Sequence, residues 1–151
     1  MEATALEFLK IQFHFNSDVI AGNIEGITDE ESRIFHPNGA NPLNWIFDHL
    51  ILIRNSMIEI LGGTPVWNDA EFSMYNRGEK PANHQNSFTD FEVLTTCFNE
   101  SSAELNRILT VGKEINAENI NDLSALMLHE IYHAGQLGYI RRILGKAGAI
   151  D

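Results

Sequence analysis

His129-Glu130-Ile131-Tyr132-His133-Ala134-Gly135-Gln136 lies inside a segment that reads as helix from about Ile120 to Leu144. Four residues of α-helix rise by ~6 Å and return to nearly the same azimuth. Both imidazoles of this H-E-x-x-H element therefore project from one face, close enough to share one metal ion. Neutral imidazole suits zinc, nickel or iron, so the pair forms half of a metal site. A zinc peptidase with Glu130 as general base is the first chemistry the motif brings to mind, and the rest of the chain argues against it. The extended peptidase signature continues with Gly and His in the two turns after its second His, where this chain has Gln136 and Tyr139. The other common form uses a downstream Glu, and no Glu follows Glu130. Nor does any convincing strand offer the edge with which a bound peptide backbone pairs. A third protein ligand must lie upstream.

Four histidines compete for that place. His36 sits in the turn sequence Phe35-His36-Pro37-Asn38-Gly39, and His84 in the polar run Pro81-Ala82-Asn83-His84-Gln85-Asn86. His14 has Lys10, Ile11, Ser17 and Asp18 as helical neighbours, a mostly wet face. His49 has Trp45, Ile46, Leu52 and Ile53 at the three- and four-residue spacings, an apolar stripe. An imidazole there faces the interior and must find a partner. Standing alone it reads as a core histidine bonded to a hydroxyl or a carbonyl. Beside an H-x-x-x-H pair in a small helical chain, His49 is the expected third ligand.

The chain has 151 residues, of which 44% are apolar, enough for one domain spanning 1–151 with its own core. Ten basic against 21 acidic residues give a formal charge of −11, which disfavours nucleic acid and anionic membrane surfaces as partners. The single cysteine, Cys97, excludes an internal disulfide and reads as a small apolar residue rather than a nucleophile. Met1 to Glu7 lacks a basic region followed by an apolar run, so no secretory leader is expected. Asp48, His49 and Arg54 interrupt the longest apolar stretch, far short of the ~20 residues needed to span a bilayer. A soluble, cytoplasmic protein is the expectation.

Four segments carry helical periodicity. The first runs from about Ala3 to Gly22, with Leu6, Leu9, Phe13, Asn16 and Ile20 on one stripe. The second opens at Asn41-Pro42, read as cap and first helical residue, and stops at Gly62-Gly63. The third starts from the acidic capping pattern Ser87-Phe88-Thr89-Asp90 and reaches about Leu109. The fourth holds the H-E-x-x-H element and ends at Gly145, after Arg141 and Arg142. Between the first two, Thr28-Asp29-Glu30-Glu31 has the capping-box pattern of a further helical turn. The link from about Gly62 to Asn86 is long and the one from about Gly112 to Asn119 is short. A short link implies antiparallel neighbours and a long one permits a crossover, so an all-α, up-down-down-up four-helix bundle is expected.

Asn44-Trp45-Ile46-Phe47-Asp48-His49-Leu50, taken with His129-Glu130-Ile131-Tyr132-His133-Ala134-Gly135-Gln136-Leu137, resembles the DinB-like (YfiT-type) four-helix-bundle family. The resemblance covers nearly the whole chain and implies the same up-down-down-up fold. It also implies one divalent metal, zinc or nickel, held by His49, His129 and His133. Ala134 stands where an arginine is common in the family. Relatives include transferases that join a low-molecular-weight thiol to an electrophile, thiol-dependent isomerases and metal-dependent hydrolases. A small-molecule substrate, with a thiol or a water as nucleophile, is what the resemblance implies. The competing expectation is a non-catalytic metal-binding stress-response protein.

Three histidines leave at least one metal position open, the arrangement of a catalytic site. Glu130 is a candidate base, a group that orients an imidazole, or an exposed glutamate on a solvated helix face. Gln136, one turn past His133, is a candidate for substrate binding or for a structural role. Tyr132 reads as packing. Trp67, Phe72, Met74, Tyr75 and Arg77 in the long link either cover the open metal position or staple the link to the bundle. A homodimer is expected from relatives and from apolar residues beyond one stripe: Phe8, Phe15, Leu43, Phe47, Phe91 and Phe98.

Overall fold

The computed structural model describes residues 4–68, 72–111 and 115–150. Among them are five α-helices and no strand: α1 Ala5–Ile24, α2 Asp29–Ser32, α3 Leu43–Ile60, α4 Phe91–Val111 and α5 Ala117–Ile143. Three 3-10 turns, at Ser73–Tyr75, Pro81–Asn83 and Gln85–Ser87, punctuate the link between α3 and α4. The all-helical class agrees with the periodicity. α1 lies against α5 and α4, while α3 lies against α4 and α5. No described helix is long and apolar enough to cross a membrane. The expected start of the first helix at Ala3 and parts of both later links, 69–71 and 112–114, lie outside the described residues.

Local chemistry explains the helix ends. Thr4 caps α1 through a box with Glu7: the Glu7 N–H donates to the Thr4 hydroxyl at 3.3 Å and the Thr4 N–H to the Glu7 carboxylate at 2.5 Å. Thr28 and Glu31 make the same reciprocal pair at the start of α2, as the spacing predicts. α3 and α5 end alike. Gly62 and Gly145 take φ of 74° and 79°, so the following N–H groups fold back onto Ile58 and Arg141 carbonyls at 2.8 and 3.1 Å.

Two caps differ from expectation. Pro42 rather than Asn41 occupies the cap position of α3, without a side-chain cap hydrogen bond. At α4, Ser87 closes the Gln85–Ser87 3-10 turn, and the first helical N–H, that of Phe91, donates to Asp29 from α2 at 2.8 Å. Arg33 holds that arrangement by donating to Asp29, to Asp90 and to the Phe88 carbonyl. A carboxylate from another element thus supplies the negative charge that a helix start favours.

Leu9, Phe13 and Ile20 from α1, Phe47, Leu50 and Met57 from α3, Leu94 and Phe98 from α4, and Met127 and Leu137 from α5 share one core. Each such side chain contributes about 1.5–3 kcal/mol of burial free energy. Leu43, Phe47, Phe91 and Phe98, read from sequence as a second apolar face for a partner subunit, all belong to this core. The reason is that α3 is enclosed on nearly every side: α2 and the Ser73–Tyr75 turn pack on it besides α4 and α5. Phe47 meets Phe91 and Phe98 in tilted ring pairs at 5.4 Å. Phe8 and Phe15, the other two residues of the dimer expectation, do stay exposed, as does Ile11 between them.

Polar side chains set the register of the helices. On α1, Asn16 and Asn23 donate to the Met127 and Ala134 carbonyls of α5 at 2.8 and 3.1 Å. Deep in the core Arg54 of α3 donates to Glu130 at 2.5 Å, to Ser17 of α1 at 2.9 Å and to Ser102 of α4. Its guanidinium lies 4.2 Å from the centre of the Phe98 ring. One fully buried cation therefore ties all four long helices together.

Candidate metal centre

His49 stands midway along α3, and His129 and His133 stand midway along the facing α5. Helix geometry puts the latter two on one face, and the α3–α5 contact brings His49 to them. Ring centroids are 4.7 Å apart for His129 and His133, 4.9 Å for His49 and His133, and 5.4 Å for His49 and His129. One ligand atom from each ring lies within 4.8 Å of the others. All three residues expected from the sequence meet. No fourth His, Cys, Asp or Glu joins the group among the described residues.

The orientation of the rings is set from behind. Nδ1–H of His49 donates to the Tyr75 carbonyl at 2.7 Å, which leaves the Nε2 lone pair for the cluster. Nδ1 of His133 pairs with the Gln136 side-chain oxygen at 2.6 Å, with the same consequence. This is the arrangement of metal-ligating histidines, whose second nitrogen is held by a carbonyl or carboxylate. The Nε2 atoms of His129 and His133 lie 2.9 Å apart. Two imidazole ligands of a tetrahedral zinc have nitrogens about 3.3 Å apart, given metal–nitrogen distances near 2.0–2.1 Å. The residues present fit a divalent ion.

Electrostatics agree. Burial pushes the His133 imidazole down to about 4, against the pull of its Gln136 bond, with repulsion from His49 and His129 adding to the fall. Burial lowers His49 as well, helped by His129, and burial followed by the Arg77 charge lowers His129. Three rings kept neutral at pH 7 are three rings with lone pairs to offer.

Around them is a pocket of about 480 Å³. Its walls are Trp45 of α3, Tyr132 and Gln136 of α5, and Asn41, Arg77 and Gly78 from the links. Trp45 stacks on His49 at 5.2 Å with ring planes 12° apart. A pocket of about 740 Å³ between the end of α1 and the start of α4 is larger, but it contains no imidazole or thiol. We place the chemistry in the smaller one because the donor cluster is there.

The other sequence candidates are sorted by their surroundings. Glu130 is neither at the cluster nor exposed. Its helical rotation of about 100° from His129 aims it at the core, where it accepts from Arg54 and, at 3.0 Å, from Asn16. Its carboxylate thus holds helices rather than standing where a base would act. Gln136 lines the pocket and orients His133. Tyr132, read as packing, is 64% exposed and forms part of the pocket rim. The long link plays both of its expected parts: Trp67 stacks on Phe72 at 3.9 Å as a staple, while Tyr75 and Arg77 reach the site.

Sequence reading missed Asp48 and Arg54, noting them only as interruptions of an apolar run. Two charged residues inside an otherwise largely apolar helical run were the available signal. Neither carboxylate oxygen of Asp48 is hydrogen-bonded. Burial pushes this carboxyl up to about 8, against the nearby Tyr75 and Thr89 hydroxyls, so it is mostly neutral at pH 7. Among known proteins, no family model matches this chain and no curated protein matches it significantly.

Proposed function

We propose that this chain is a metal-dependent enzyme of the DinB-like kind, an up-down-down-up bundle whose His49, His129 and His133 hold one divalent transition metal. The observation that carries this reading is the convergence of three neutral imidazoles from two helices, two of them with their outer nitrogens held by carbonyl oxygens. When bound, such an ion supplies Lewis acidity, lowering the pKa of a water or thiol that shares it and polarising an electrophile. The protein's own residues do the rest. Tyr75 and Gln136 fix the tautomers, Trp45 restricts His49 by stacking, and the pocket admits a small molecule while α3 and α5 close the rear. An open approach on one side and the lack of a fourth protein ligand among the described residues favour catalysis over a purely structural site. Transfer of a low-molecular-weight thiol to an electrophile and hydrolysis both suit this arrangement. A vestigial, non-catalytic metal site is the alternative.

Metal analysis of tag-free protein beside a His49→Ala/His129→Ala variant tests the centre, with about one equivalent expected in the parent and a large loss in the variant. Equal content would remove the site. A panel of thiols with an electrophilic reporter, set beside a panel of esters and amides, then separates transfer from hydrolysis. No metal-dependent turnover in either panel would leave only the binding role.

A further inference from the structure

The pocket over the three histidines carries charge of one sign. In a chain with 21 acidic and ten basic residues, no described residue lining this pocket is an Asp or a Glu. Its one charged side chain is Arg77, from the link between α3 and α4. Arg77 is exposed and forms no ion pair or hydrogen bond with any described residue. The other arginines near the core are engaged: Arg33 with Asp29 and Asp90, Arg54 with Glu130.

This placement adds like charge to the pocket of a metal site. A divalent ion on three neutral imidazoles keeps its positive charge, and the exposed guanidinium on the same pocket adds a repulsion that solvent weakens but does not remove. What relieves the repulsion is an anion bridging the two cations. A guanidinium is suited to the task, because its planar fork matches a carboxylate or phosphate with two parallel hydrogen bonds.

We infer that the substrate carries an anionic oxygen group, a carboxylate or phosphate, which Arg77 clamps while the reacting end of the molecule meets the three-histidine centre. The inference rests on the metal-centre reading and adds the substrate class to it. Arg77 is a binding and specificity residue in this role, and Tyr132 and Trp45 are walls of the same pocket. The 480 Å³ available sets the scale as a small molecule rather than a polymer.

Cobalt(II)-loaded protein provides a readout other than activity, because thiolate coordination to cobalt gives a charge-transfer absorption. The probes are ω-mercaptoalkanoates of increasing chain length, their neutral methyl esters, and the matching ω-mercaptoalkylphosphonates. At the best chain length an acid is expected to bind about ten- to a hundred-fold more tightly than its ester. Arg77→Gln is expected to abolish that preference with the ester's affinity unchanged, and Arg77→Lys to restore part of it. Cobalt affinity without any probe is expected to rise about two- to five-fold in Arg77→Gln, as the repulsion is removed. Whichever anionic series binds better identifies the natural anion, and either upholds the inference. An acid-over-ester preference that survives in Arg77→Gln, or no preference in the parent chain, overturns it while leaving the metal centre intact. Failure of the parent chain to bind cobalt more tightly than a His49→Ala/His129→Ala variant would instead remove the metal centre itself.

Discussion

α3 and α5 share two polar clusters of opposite character, built from neighbouring residues. His129 and Glu130 are adjacent on α5, and His49 and Arg54 lie little more than a turn apart on α3. One side of the seam gathers three neutral imidazoles at the edge of an open pocket. The other locks a guanidinium and a carboxylate into the core, both side chains 0% exposed. The first cluster is shaped to receive something; the second is complete, with five hydrogen-bonding side chains from four helices. The lesson is that an H-E-x-x-H spelling fixes the histidines' common face but not the task of its Glu. A rotation of about 100° separates the candidate metal face from scaffolding.

The sharpest way to break this contrast is to unpair the buried cluster. Arg54→Ala leaves Glu130 charged and without its partner in the core, a change expected to cost about 3–5 kcal/mol of folding free energy. Arg54→Met/Glu130→Leu removes both charges and keeps the volume, and its cost is expected to be smaller by several kcal/mol, near zero or favourable. Urea unfolding of the metal-free forms measures both. If Arg54→Ala and the double variant were equally destabilised, the loss would be one of packing around Phe13 and Phe98 and not of charge pairing. Metal affinity of the double variant sharpens the comparison further. If the ion pair only sets helix register, His49, His129 and His133 still bind their ion; a catalytic Glu130 would show as turnover lost at unchanged affinity.

How much of this was legible beforehand depends on the distance over which each feature is decided. The long helices, the Thr28 box and the helical face shared by His129 and His133 follow from spacings within a few turns, and the chain displays them directly. His49 was legible because an imidazole on the stripe of Trp45, Ile46 and Ile53 has few fates. By contrast Arg54 and Glu130 are paired across 76 positions, and nothing local to either marks the other. The Phe91 cap comes from Asp29, 62 residues away. The burial of Phe47 and Phe98 depends on how many elements surround α3, a tertiary fact that a single-helix pattern cannot carry. Tyr75 reaches His49 through its backbone carbonyl, which any residue type possesses, so its side chain gave no hint.

A smaller effect separates the open cluster from the buried Asp48 carboxyl by pH. Asp48 has its folded-state pKa raised from 3.8 to about 8, so its contribution is fully present below pH ~4 and is lost as pH rises towards 8. His133 works in the reverse sense. Its pKa is lowered from 6.5 to about 4, so stability is complete above pH ~6.5 and is lost as pH falls towards 4. Asp48→Asn cannot ionise, and in the metal-free protein it is expected to gain on the parent chain by about 2 kcal/mol or more between pH 4 and pH 8. Denaturant midpoints across that range provide the check. A gap independent of pH would mean that the Asp48 carboxyl is not held neutral in the folded core.

The smallest expected effect probes the open cluster from its outer side. Gln136 accepts from His133 Nδ1 at 2.6 Å, and its amide nitrogen reaches the Tyr132 hydroxyl at 3.4 Å. Removing that oxygen takes away neither a ligand nor a core contact. It lets the His133 ring turn and lets the proton move to Nε2, which must be bare to bind a metal. Gln136→Ala is therefore expected to weaken metal binding about ten-fold, with unfolding of the metal-free protein changed by no more than about 0.5 kcal/mol. Gln136→Glu supplies a stronger acceptor and a negative charge, so it is expected to bind the ion at least as tightly as the parent. That pair of outcomes distinguishes an orienting role from one in substrate recognition, which would leave metal affinity untouched in both variants. Competition titration against a chelator of known affinity reads the difference, and equal affinities for the parent, Gln136→Ala and Gln136→Glu would reassign Gln136 to the pocket wall alone.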